Sequence, residues 1–146
     1  AHIRFDERMR GTGAQVHHEL MLCLTLKRAG WKLIYDPQIV VDHYLGQRFD
    51  EDRRNQFNAI AFSNMTYNET LSLLEHLSPI RRTAFAIWAV LVGTRDAWGL
   101  VQLLRFLPSQ GKLAWQKWLA SMHGRWQAWV TWSNRDRSSE VWAQHL

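Results

Sequence analysis

The chain has little with which to staple, break or sink itself into lipid. Among its 146 residues there are one cysteine, Cys23, and three prolines. A lone cysteine excludes an internal disulfide. Cys23 sits among apolar residues at helical spacing, so it reads as a buried structural thiol, compatible with a reducing compartment. The longest uninterrupted apolar run, 84–93, has ten residues, which is too short to cross a bilayer. Joining it to the next apolar stretch, 97–107, would put Arg95 and Asp96 near mid-membrane, at about 2.5–3.5 kcal/mol for each charge. Two shorter helices hinged at 94–96, lying in an interface or packed on the rest of the protein, fit better.

Acid is the other scarcity, and it is local. The net charge is +5, but residues 1–80 are close to balanced. Residues 81–137 hold nine Lys and Arg against only Asp96 and Asp136. The same stretch holds seven of the nine tryptophans; only Trp31 and Trp142 lie outside it. A basic, aromatic-rich half points to an anionic partner. A nucleic-acid partner is not expected, because the aromatics gather on one apolar face instead of alternating with the charges.

Periodicity places the elements. Val16, Leu20, Cys23 and Leu24 recur at helical spacing from about residue 14. Basic Lys27-Arg28 followed by Gly30 close that helix. Residues 31–35 and 39–43, the latter rich in β-branched side chains, read as two short strands around an Asp36-Pro37 turn. From 50 to 76 the pattern is helical again, with Phe57, Ile60, Ala61, Asn64, Tyr67, Leu71 and Leu74 on one face and Asn and Glu opposite. Pro79 punctuates it, and 108–111 reads as a clear break. A last helix over 112–132 gathers Trp115, Trp118, Leu119, Met122, Trp126, Trp129 and Val130 within an arc of roughly 120°. That stripe suits either a membrane interface, where tryptophan and flanking basic residues favour anionic lipid, or the protein's own core. Residues 133–139 form a polar tail. Asn64-Met65-Thr66 and Asn68-Glu69-Thr70 match the glycosylation sequon, but both fall inside a helix with a core face and are read as coincidental.

The most informative wording lies near the start. Phe5-Asp6-Glu7-Arg8, Gly11, Glu19-Leu20, Lys27-Arg28-Ala29-Gly30-Trp31-Lys32-Leu33-Ile34-Tyr35-Asp36-Pro37 and Val41-Asp42-His43-Tyr44 follow one another in under fifty residues. Over 3–48 this resembles the second half of the catalytic domain of glycosyltransferase family 2, the inverting transferases that use nucleotide sugars. The resemblance implies an α/β fold, the C-terminal part of a GT-A nucleotide-diphospho-sugar transferase domain, followed by an all-α extension that leaves the whole predominantly helical. The divisions would be 1–48 for the catalytic piece, 49–80 for a helical connection, 81–132 for a basic, Trp-rich and membrane-associated region, and 133–146 for the tail.

Inverting sugar transfer needs a base for the acceptor hydroxyl and a counter-charge for the leaving diphosphate. In family 2 the base is typically the second member of a Glu-Asp pair at the start of a helix. His18-Glu19 stands at that position, so the resemblance assigns the base to Glu19. It further implies Gly11 and Gly13 as acceptor-side backbone contacts, Arg48 as a diphosphate contact, and His43 as a ligand of a divalent cation, Mg or Mn. The partners implied are a nucleotide-sugar donor and a hydroxyl acceptor, with a membrane surface engaged through 81–132. Location at the cytoplasmic face of a membrane, peripheral or interfacial, follows. The Gln-x-x-Arg-Trp motif of processive members is absent, since Arg48-Phe49-Asp50 follows Gln47; long-chain polysaccharide synthesis is disfavoured. The competing expectation is non-enzymatic, a basic amphipathic helical module that docks to a membrane or a protein.

Overall fold

A computed structural model describes residues 3–11, 16–42, 44 and 56–143. Five helices appear among them: α1 (His18–Arg28), α2 (Ala59–His76), α3 (Pro79–Leu91), α4 (Leu100–Gln110) and α5 (Lys112–Ala143). The local chemistry accounts for most of the ends. The Asn58 side chain caps α2 by accepting from the Ile60 and Ala61 amides at 2.8 and 3.1 Å. Pro79 occupies the first turn of α3, where its missing N–H leaves no bond unmade. The expected break at 108–111 comes later than the sequence suggests. Pro108 sits in the last turn of α4, and the chain turns only at Gly111, with φ of 51°. Nor does α5 stop near 132; it is helical through Ala143.

The α/β expectation is wrong. Among the described residues there is no strand and no sheet, only an isolated antiparallel bridge between Gly93 and Trp98. Residues 31–42, which carry nearly all of both expected strands, run without ladder bonds and are exposed throughout. The Asp36-Pro37 turn does form, the Asp36 carboxylate accepting from the Gln38 amide at 2.9 Å. Its two limbs do not pair. A lone two-stranded ribbon with no third strand or helix over its face is marginal in water, and nothing described here covers Ile34, Tyr35, Val40 or Val41, each about four-fifths exposed or more.

The packing centres on α2, which lies chiefly against α5 and, on another side, against α1. The expected stripe on α2 holds in its second half, where Tyr67, Leu71 and Leu74 are buried, but not in its first. Ile60 is 57% exposed, whereas Thr66, Asn68 and Ser72 are fully buried. Polar residues occupy that core because each finds a partner: Thr66 and Ser72 donate to the carbonyls of Phe62 and Asn68, and Asn68 serves the N-terminal loop.

On α5 the buried face is the small one. Ala114, Ser121 and Ala128, spaced seven apart, have no exposure. Gly124 lies so close to α2 that a Cβ there would overlap the Ser63 carbonyl oxygen. This close approach selects small side chains and turns the tryptophan arc outward. Trp115, Leu119, Trp126, Trp129 and Val130 are all exposed, while Trp118 and Trp132 border two small clusters, around Trp98–Leu103–Ala114 and around Met9–Met21–Tyr67–Leu71–Ala128. Cys23 is half-buried and unpaired.

Candidate functional site

The N-terminal loop that precedes α1 is fixed by charge and by amide pairing. Arg8 grips Asp6 at 2.6 Å and reaches Glu75, near the C-terminal end of α2, at 2.9 Å. Burial by itself would raise the Asp6 carboxyl pKa, but the hydrogen bonds from Arg8 outweigh it and hold that pKa below its ordinary value. Two turns earlier on α2, the Asn68 side chain binds both the amide and the carbonyl of Arg10 and also the carbonyl of Val16. The described segment that ends at Gly11 is therefore held onto α2 through Arg10.

Arg10 links this loop to α5. Its guanidinium lies over the Tyr67 ring, 3.9 Å from the centroid, and donates to the Gln127 side-chain oxygen. Gln127 in turn contacts His123 Nε2 at 2.6 Å. These three line one side of an open cleft of about 500 Å³ between the loop, the first half of α2 and α5, with Ser63, Asn64 and Gln116 adding polar groups. Such a volume lies within the usual range for small-molecule sites. The cleft can offer a cation, three amides, a hydroxyl and an imidazole to a polar ligand.

Glu19 stands in the first turn of α1, behind His17, whose φ of 67° is left-handed. The carboxylate is exposed, and no hydrogen bond or ion pair engages it among the described residues. His18, its neighbour, turns inward, with Nε2 3.4 Å from the Arg10 carbonyl. Glu19 does not line the Arg10 cleft. Gly11 is half-buried beside Arg10, at φ 136°. Gly13, His43 and Arg48 lie outside the described residues. Among the described residues no three His, Cys, Asp or Glu side chains come together in a way that could hold a metal ion.

The sequence reading missed Arg10, Gln127 and His123 as a group. Arg10 lies 117 positions from Gln127, and only the α2–α5 packing brings them together. It also missed Arg125, which is 6% exposed and lies on the small face of α5 beside Gly124. Among the described residues no helix is long and apolar enough to cross a membrane. Comparison with protein-family models, with curated proteins and with solved structures returns no match to this chain.

Proposed function

We propose that the chain is part of a sugar transferase in which Glu19 is the general base. Support comes from the order of residues over 3–48 and from one structural observation: Glu19 is an exposed, unengaged carboxylate in the first turn of a helix that Asn68 ties to α2 through the Val16 carbonyl. In this reading the Glu19 carboxylate takes the proton from an acceptor hydroxyl. The alkoxide oxygen then attacks the anomeric carbon of a nucleotide sugar from the face opposite the nucleoside diphosphate, which leaves with its electron pair. The product is inverted. The bond from Asn68 to the Val16 carbonyl, just ahead of the helix, would help hold the base where the hydroxyl arrives, which is the positional part of catalysis. A divalent cation, with His43 as its one proposed ligand here, would neutralise the departing diphosphate, and Arg48 would add to that. The proposal carries no claim of an α/β domain. Its test is nucleoside-diphosphate release by the full-length protein on supplying nucleotide sugars with a hydroxyl acceptor, together with the anomeric configuration of the product.

A second reading, compatible with the first, is favoured by the outer surface of α3, α4 and α5. Ile80, Ile87, Trp88, Leu91, Leu104, Trp115, Trp126 and Trp129 are all exposed, as are Arg81, Arg105 and Lys112 on the same elements and Arg95 in the turn between α3 and α4. Apolar and aromatic groups among cations suit the headgroup level of an anionic bilayer. We propose peripheral docking of 81–132 there, tested by co-sedimentation with vesicles of phosphatidylglycerol against vesicles of phosphatidylcholine.

A further inference from the structure

A second cleft opens between α2, α3 and α5, with a volume of about 480 Å³. Its walls are Leu74, Phe85, Ala86, Ala89, Val90, Met122, Trp126 and Trp129, with the Thr70 hydroxyl and one charged group, Arg125, among them. Arg125 is 6% exposed. A guanidinium carries five N–H donors, and this one is thinly engaged. One Nη donates to the Ala97 carbonyl at 2.8 Å, the other sits 3.5 Å from Thr70 Oγ1, and Nε is buried without a partner. No carboxylate among the described residues forms an ion pair with it. Glu69 is its electrostatic counterpart, and burial raises the pKa of that carboxyl. Burial likewise lowers the pKa of Arg125 itself.

A buried guanidinium that has no ion pair and an unpartnered Nε keeps donors open to an anion, and its Nε–Nη edge is the geometry that matches a two-oxygen anion. The apolar wall excludes a fully polar anion such as free sulfate as the best ligand. The mouth is apolar too, since Val90, Trp126 and Trp129 on its rim are exposed. We propose that this cleft binds a single-chain anionic amphiphile, its tail against Leu74, Phe85, Ala89 and Trp129 and its carboxylate or phosphate head on Arg125. The head answers the unpaired donors, and the chain fills the apolar volume. The site is separate from Glu19 and from the Arg10 cleft, so its failure leaves the transferase reading untouched.

The test uses the whole chain, below micelle-forming concentrations, with decyl phosphate, decanoate and neutral decanol. Calorimetry and the fluorescence of Trp126 and Trp129 follow binding. Saturable binding of at least one anion, at least about tenfold tighter than decanol, is expected. A preference for the phosphate identifies a lipid phosphate monoester as the source, and a preference for decanoate a free fatty acid. Arg125→Met should erase the anion preference while decanol binding persists. Ala86→Phe, which fills the cleft from a half-buried position, should abolish saturable binding with the helical circular-dichroism signal unchanged. Equal affinity for decanol and the anions would overturn the proposal, as would undiminished binding by folded Ala86→Phe or no saturable binding at all.

Discussion

Asn68 pairs with the backbone of Arg10 as a strand would. Its Oδ1 accepts the Arg10 amide at 2.8 Å, and its Nδ2 donates to the Arg10 carbonyl at 2.7 Å. A second bond from Nδ2 to the Val16 carbonyl, at 2.9 Å, completes the set. The side chain is fully buried, which rules it out as a glycan acceptor in the folded state. Asn68→Ala strands buried backbone groups that an apolar side chain cannot satisfy. We expect a loss of about 2–4 kcal/mol in urea unfolding, from two or more unmade bonds at roughly 1–3 kcal/mol each. A loss under about 0.5 kcal/mol would mean that the loop is not held this way.

Gly124 carries the α2–α5 contact. A methyl group there meets the Ser63 carbonyl oxygen, a backbone atom that moves only if the helix moves. Gly124→Ala should destabilise by about 1–3 kcal/mol, despite alanine's higher helix propensity. An increase in Tm would show that the two helices lie further apart.

Two carboxyls predict opposite responses to pH. Asp6, held below its ordinary 3.8, contributes stability that is present above that value and is lost as pH falls through the folded pKa; Asp6→Asn should flatten the acid limb. Glu69, raised above its ordinary 4.5 chiefly by burial, contributes stability that is present below 4.5 and is lost as pH rises through its folded pKa. Glu69→Gln should remove that loss, so the variant's pH profile is flatter there than the parent's. Unfolding free energies measured from pH 3 to 8 check both signs.

The tryptophans divide into two kinds. Trp98 is 3% exposed, its indole donates to the Arg95 carbonyl at 2.7 Å, and its amide donates to Ser121. Trp98→Ala should lose about 3–5 kcal/mol. Trp126, 67% exposed, should lose less than about 1 kcal/mol on the same change, yet Trp126→Ala should weaken vesicle co-sedimentation. Retained vesicle binding in a Trp115, Trp126 and Trp129 triple alanine variant would end the docking proposal.

What could be read from residues alone was what depends on near neighbours. Lys27-Arg28 before Gly30, the break at Pro79 and the Asp36 turn each carry their reason within four positions, whereas the cap at Asn58, eight residues past the expected helix start, was not read. Local pattern failed where distant partners decide. Asn68 and Glu75 looked like solvent-facing polar residues, but a loop about sixty positions away needed the Asn68 amide and supplied Arg8 to Glu75. The tryptophan arc on α5 suited a membrane interface or the core equally, and close helix approach put Ala114, Ser121, Gly124 and Ala128 in the core instead. Residues 31–42 have strand-like side chains, and propensity without a neighbouring strand does not make a sheet. For the site, the helix bearing Glu19 and the Gly11 loop were legible, whereas the Arg10–Gln127–His123 grouping exists only once α2 and α5 pack.

The role of Glu19 is open to one decisive measurement: steady-state sugar transfer by the full-length protein and its Glu19→Gln variant, with folding verified by circular dichroism. Loss of a general base should lower kcat by about 10²–10⁴-fold with the donor KM little changed. A variant that turns over within twofold of the parent would contradict the assignment.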